Sequence, residues 1–199
     1  MIEYRAAGLT VERVIVGPLE NNTWIAACEQ TGEAVIIDAA DEAGRILEAA
    51  AGYRVGAILT THGHADHVQA VAQVRSALDI PYRIHPLDAP AAGISPFDPI
   101  SEGEHIAVGR ASLTAVHTPG HTPGSTCFVA GPLLFSGDTL FPGGPGATAD
   151  PDRFAEIMTS LQERLFALPD DTAVLPGHGA PTTIGDERPS VPEWWRRGW

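Results

Sequence analysis

Short apolar, β-branched runs open the chain at residues 11–16, 23–28 and 34–38, separated by "GPLENN" and "EQTGE". Such runs, punctuated by Gly, Pro and Asn, read as strands joined by turns, so they predict the opening antiparallel strands of a sheet. After Asp41 the spacing changes: Ala43, Ile46, Leu47 and Ala50 share one helical face and Gly52 follows, which predicts a helix capped by Asp41. Residues 55–60 return to a strand pattern. Val68, Val71, Ala72 and Leu78 then share a face, predicting a second helix that starts at residues 66–68. "PYRIH" reads as another strand.

Residues 86–103, "PLDAPAAGISPFDPISEG", are Pro-rich and weakly periodic, and predict a short helix followed by a long loop near the functional loops. Further strands are predicted around Ile106, at 113–117 and at 126–130, with 133–136 pairing back after the tight "AGP" turn. Asp150-Pro151 opens the most regular helix, with Pro at the first helical position and Phe154, Ile157, Met158, Leu161 and Leu165 along one face. Residues 172–175 form the last predicted strand, and "DERPSVPEWWRRGW" is expected to be irregular. Strands alternating with helices in two β-then-α halves predict two packed sheets with helices outside. "HTPGHTPG" is a local duplication, not a solenoid repeat.

The candidate chemistry sits at the ends of these strands. Five histidines and two aspartates fall into the pattern His62-x-His64-x-Asp66-His67, then His121, Asp138 and His178. His62 and His64 are two apart, so in an extended segment both imidazoles project to one side, while Asp66 and His67 follow where a turn enters a helix. His121, Asp138 and His178 each close a strand-then-loop segment, and ligands at strand ends converge on one rim of a sheet. Imidazoles and carboxylates suit zinc, iron or manganese, and no cysteine lies in these loops. The set exceeds what one tetrahedral ion uses; with one carboxylate bridging, it suits two ions about 3.5–4 Å apart. Gly63, Gly120, Gly137, Gly177 and Gly179 stand beside the ligands, where a missing Cβ permits sharp turns.

"GPLENNTWIA", "AVIIDAA", "LTTHGHADHV", "HTPGHTPGS", "SGDTLFPGG" and "LPGHG" together resemble the metallo-β-lactamase superfamily, and within it the small glyoxalase II-like hydrolases. The resemblance implies an α+β fold, the four-layer αββα sandwich of that superfamily. It makes His62, His64 and His121 ligands of a first metal and Asp66, His67 and His178 ligands of a second, with Asp138 bridging. Two Zn2+ ions per chain are implied, with iron or manganese suiting the same donors, and Asp66 and Asp138 are the catalytic carboxylates. Asp38 is implied to support the metal-binding loop by hydrogen bonding.

The implied activity is metal-dependent hydrolysis of a small thioester of the hydroxyacyl-thiol kind. Its nucleophile is a water or hydroxide between the ions, its pKa lowered from about 15.7 towards neutrality. A thiol's pKa is about 8.5, so the leaving thiolate needs no dedicated general acid. Two features depart from full-length glyoxalase II: about twenty residues follow His178 in this sequence, where that enzyme carries a helical domain that contacts glutathione, and "TLFPGGPGATAD" lacks the Cys-Gly-Arg segment. Both leave the thiol open, with a different thiol carrier or a non-thiol acyl substrate as alternatives to glutathione. A persulfide dioxygenase holding one iron through His62, His121 and Asp138 is the competing enzyme class, and a non-catalytic metal-binding module is the third. True β-lactamases generally lack a carboxylate at the Asp138 position; acyl-homoserine lactonases use a tyrosine beyond it, whereas the tyrosines here are Tyr4, Tyr53 and Tyr82.

Composition narrows the partners. The 199 residues suit one hydrolase domain at 1–185 with a tail at 186–199 packed on it. The 21 glycines and 17 prolines suit a loop-rich sheet protein. A net charge of −13 with no lysine argues for a small-molecule substrate and against nucleic acid, which needs clustered cations to displace counterions. No run approaches a membrane span or a signal peptide, so a cytoplasmic location is expected; the sequence assigns no oligomeric state. Cys28 and Cys127 read as buried thiols, His85, His105 and His117 as structural or exposed, and Trp194, Trp195 and Trp199 as a packing patch.

Overall fold

Several strand-forming runs are apolar at consecutive positions because both faces of the strand are covered. In a computed structural model, which describes residues 2–198, these strands form two sheets packed face to face. The first has the spatial order β1 (Ile2–Ala6), β2 (Leu9–Val16), β3 (Asn21–Cys28), β4 (Glu33–Ile37), β5 (Arg54–Leu59), β6 (Tyr82–Ile84) and β7 (Asp98–Pro99). It is antiparallel as far as β4 and parallel from there.

The second sheet contains β8 (His105–Val108), β9 (Ala111–His117), β10 (Thr126–Ala130), β11 (Leu133–Gly137), β14 (Ala173–Pro176) and β15 (Thr182–Thr183), in the order β15-β14-β11-β10-β9-β8. A small ribbon of β12 (Leu140–Phe141) and β13 (Gly144–Pro145) stands apart. The helices are α1 (Ala43–Ala50), α2 (Val71–Leu78), α3 (Ala89–Ala92), α4 (Pro151–Ser160), α5 (Ile184–Glu187) and α6 (Val191–Arg197).

Three apolar layers separate the four layers of structure. Between the sheets, Trp24, Ala26, Val35, Ile37 and Leu59 meet Leu113, Ala115, Phe128, Phe135 and Leu175. The alternate residues Ile25, Ala27, Ala34, Ile36 and Ile58 turn the other way, onto Ile46, Val71 and Val74 of α1 and α2. Behind the second sheet, Cys127, Leu134 and Val174 pack on Phe154, Ile157, Met158 and Trp194. The period of two within each strand thus sorts neighbouring residues into different cores, giving the αββα sandwich. No helix among the described residues is long and apolar enough to cross a membrane.

Local departures from the sequence reading have identifiable causes. β1 is too short and too charged to mark itself, with Glu3 and Arg5 alternating with Tyr4 and Ala6. Asp41 does not cap α1: its Oδ1 accepts from the amide of Glu42 at 2.6 Å, and the helix begins after Glu42, which is left-handed at φ 46°. α2 starts at Val71, after a separate 3-10 turn at Ala65–His67, and buries Val74 while Ala72 is exposed. The 93–103 segment runs along the edge of the first sheet, where β7 pairs with β6, Arg75 donates to the Pro96 carbonyl and Ile100 is buried between the sheets.

α4 matches the start of its pattern, with Asp150 Oδ1 accepting from Arg153 N at 2.8 Å and Phe154, Ile157 and Met158 buried, while Leu161 and Leu165, buried on the same face, lie in a π-helical turn (Leu161–Leu165) that follows it. The tail is helical rather than irregular. Thr183 caps α5, Pro192 lies in the first turn of α6 where a missing N–H costs nothing, and Val191 and Trp194 enter the core behind the second sheet. Trp195 is more exposed and packs edge-on against Phe154; Trp199 lies outside the described residues.

Candidate metal centre

Strand direction brings the ligand-type residues together. β9 and β11 each run antiparallel to β10, and β14 runs parallel to β11, so their carboxyl ends share one edge. The loops leaving those ends carry His121, Asp138 and His178, and the loop leaving β5 faces them with His62, His64, Asp66 and His67. All seven predicted residues meet in one place.

They fall into two triangles. His62 Nε2, His64 Nδ1 and His121 Nε2 lie 3.0–3.3 Å from one another. His67 Nε2, His178 Nε2 and Asp66 Oδ2 lie 3.2–3.5 Å apart. Asp138 sits between, with Oδ1 3.4 Å from His67 Nε2 and Oδ2 3.7 Å from both His121 and His178 Nε2. Donors about 2.0–2.1 Å from a tetrahedral ion are about 3.3–3.4 Å apart, the spacing found here.

The outer nitrogens explain why the inner ones are free. His121 Nδ1 donates to the Ala147 carbonyl at 2.6 Å and His178 Nδ1 to the Leu19 carbonyl at 3.0 Å. The Thr61 hydroxyl donates to Asp38 Oδ2 at 2.7 Å, so its oxygen accepts from His62 Nδ1 at 3.1 Å. His62 Nε2 and His121 Nε2 therefore face each other at 3.3 Å as two lone pairs, with no proton between them. Burial, reinforced by the neighbouring imidazoles, holds the pKa of His62 well below its ordinary value; burial also lowers that of His121, against the pull of Asp138.

His67 is the exception. Burial opposes its charge, but Asp138 on one side and Asp38 on the other outweigh it and raise its pKa to about 10. Asp66 and Asp138 are held below the usual carboxylate range despite burial, Asp66 by Asn21 and His67, and Asp138 by His67. The Oδ1 atom of Asp138 is buried without a hydrogen-bond partner among the described residues. An orphaned carboxylate oxygen between two triangles of ligand-type nitrogen and oxygen atoms is a site shaped for cations.

The supports include residues that the sequence reading passed over. Asp38 behaves as expected, accepting from Thr61 N, the Thr61 hydroxyl and His67 Nδ1 at 2.7–3.0 Å. Asp88 was not foreseen. Buried at the start of α3, it accepts from Gly63 N, Thr122 Oγ1 and Gly124 N at 2.6–2.8 Å, tying the loop of His62 to the loop of His121. Nor was Asn21, whose Nδ2 lies 2.9 Å from Asp66 Oδ2. Gly177 is required by contact: a Cβ there would stand 2.3 Å from Asp138 Oδ1 and 2.6 Å from His67 Cε1.

Of the histidines set aside, His117 stacks on His85 at 4.3 Å and lies against the Pro123 carbonyl at 2.9 Å, away from the ligands. His105 pairs with Thr114. Cys28 and Cys127 are buried and unpaired. A cavity of about 960 Å³ at the amino ends of β4 and β5, lined by Glu33, Arg54 and Arg83, contains none of the ligand-type residues.

Residues 16–178 match the family model of the metallo-β-lactamase superfamily. The chain belongs to that superfamily. Among its members, the probable metallo-hydrolase YqgX of Bacillus subtilis is 33% identical, the match covering 90% of this chain and 95% of that one. The hydroxyacylglutathione hydrolase GloC of Haemophilus influenzae is 31% identical, over 80% of this chain and 86% of its own. The crystal structure of the superfamily protein TTHA1623 in a di-iron-bound form superposes with a TM-score of 0.78 at 36% identity, covering 92% of this chain and all of that one. The superfamily binds divalent metals, and His62/His64/His121, His62/His67/Asp138 and Asp66/His67/His178 are clusters of ligand-type side chains that could each hold an ion.

Proposed function

We propose that this chain is a metal-dependent hydrolase acting on a small thioester, with a hydroxyacyl-thiol as the favoured substrate. The observation that carries the metal reading is the contact of His62 Nε2 with His121 Nε2 at 3.3 Å, both Nδ1 protons being committed elsewhere. Two facing lone pairs repel unless a cation lies between them and their neighbours. His62, His64 and His121 would hold the first ion, Asp66, His67 and His178 the second, and Asp138 both.

Zinc suits this donor set, as does iron, which the related TTHA1623 binds as a pair. When bound, the two ions supply a water of lowered pKa and polarise the substrate carbonyl. The chain's own residues do the rest. Asp66 faces the second position and would orient the attacking water by accepting a hydrogen bond from it. Asp38 and the carbonyls of Leu19 and Ala147 keep the imidazoles from turning, so the site pays little reorganisation during the reaction. The departing thiolate is a weak base, so no side chain need protonate it.

The likeness to GloC supports a thioester over the other bonds the superfamily cleaves. The test is a panel of thioesters, lactones and phosphodiesters on zinc-loaded protein, beside oxygen uptake with a glutathione persulfide on iron-loaded protein. Thioester turnover above the rest is expected. Oxygen uptake without thioester cleavage would replace the hydrolase with the dioxygenase that uses His62, His121 and Asp138 alone.

A further inference from the structure

The second half of the centre is clamped by the start of β3. Asn21 is buried, at 2% exposure, and its backbone forms an isolated antiparallel bridge with His178, while Asn22 N donates to the Gly177 carbonyl at 2.7 Å. The main chain therefore fixes the position of Asn21 whatever its side chain is. That side chain reaches inward, with Nδ2 2.9 Å from Asp66 Oδ2 and 3.3 Å from His178 Nε2. A carboxylate only accepts, so the amide faces it through its NH2. Oδ2 is also the Asp66 oxygen that stands 3.3 Å from His178 Nε2 and 3.5 Å from His67 Nε2. Asn21 thus donates to the oxygen aimed at the second position, restricting rotation of that carboxylate.

We infer that Asn21 is a positioning residue for the second metal position: acting through Asp66, its carboxamide sets how tightly the second ion is held, independently of the first. The inference rests on the ligand assignment proposed above and not on the thioester. Hydrogen bonds to ligating carboxylates typically change metal affinity about 10- to 100-fold when removed. A purely structural Asn21 would affect both positions together, because loss of the β3 bridge would loosen the whole rim.

The experiment is a zinc titration of metal-stripped protein against a chromogenic chelator, on wild type, Asn21→Leu, Asn21→Ser and Asp66→Ala. Leu keeps the size of Asn without the donor; Ser keeps a donor. Asn21→Leu is expected to weaken one of the two ions about 10- to 100-fold and leave the other unchanged, with Asn21→Ser intermediate. If Asn21→Leu does not fold, Asn21→Ala, which removes the donor while leaving the backbone bridge to His178, carries the same comparison. Equal weakening of both ions, or of neither, overturns the inference. Asp66→Ala separates the two levels. If it loses one ion while Asn21→Leu does not, the role of Asn21 fails alone; if it retains two tight ions, the ligand assignment fails with it.

Discussion

Asp38 Oδ2 accepts from His67 Nδ1 at 3.0 Å, while Oδ1 of the same carboxylate accepts from Thr61 N at 2.8 Å, so one buried aspartate orients a ligand and anchors the loop that carries the others. Asp38 has a left-handed backbone, φ 57°, which asparagine also tolerates. Asp38→Asn therefore changes the chemistry and not the turn. With its oxygen on Thr61 N, the new amide would point N–H groups at both the Thr61 hydroxyl and His67 Nδ1. To accept from that amide, His67 would have to give up its Nδ1 proton, leaving a proton on Nε2, the nitrogen aimed at the centre. Zinc affinity is expected to fall about 10- to 100-fold in a competition titration. Unchanged affinity would remove Asp38 from the account.

Metal uptake should release a proton. The pKa of His67, raised to about 10 by Asp138 and Asp38 against the effect of burial, leaves it protonated at pH 8 in the metal-free chain, whereas His62 and His121 are already neutral. A raised pKa means the proton is held below about 10 and given up above it. Calorimetric titrations at pH 8 in buffers of different ionisation enthalpy should report about one proton released when the His67 position fills, declining towards zero above pH 10. No buffer dependence at pH 8 would show that His67 is neutral before the ion arrives.

The ligand-type residues were legible in the sequence because strand ends are legible. Each of His121, Asp138 and His178 follows an apolar run, and α4 declares itself through Asp150-Pro151 and the apolar face of Phe154, Ile157 and Met158. The supports were not legible. Asp88 in "HPLDAP" reads as an ordinary turn residue, and its three donors come from loops 25 to 36 residues away. Asn21 in "GPLENN" carries the same turn chemistry, and only folding brings it to Asp66, 45 residues on. α6 was hidden by Pro189 and Pro192, which break a helix interior but fit a first turn.

That tail is part of the core. Trp194 is 2% exposed among Leu140, Phe154, Ile184 and their neighbours behind the second sheet, so Trp194→Ala should cost about 3–5 kcal/mol in denaturant unfolding. Trp195 is 44% exposed, and Trp195→Ala should cost within about 0.5 kcal/mol, plus what its edge contact with Phe154 contributes. Equal costs would show that the tail does not pack as described.

Asp138→Ala removes the carboxylate that lies between both triangles, so it should weaken both ions and abolish turnover. Its Oδ1 forms no hydrogen bond among the described residues, so the circular dichroism spectrum should be that of wild type. Wild-type turnover, or an unfolded spectrum, would contradict the bridging role.

The central claim, two ions held by seven residues and used for hydrolysis, is tested most directly by elemental analysis of protein purified without added metal, followed by reconstitution of the stripped chain while thioester hydrolysis is recorded. Two ions per chain are expected, with activity rising as the second is bound and absent from the stripped protein. One tightly held iron with no hydrolysis, or full hydrolysis by the metal-free chain, would contradict the account.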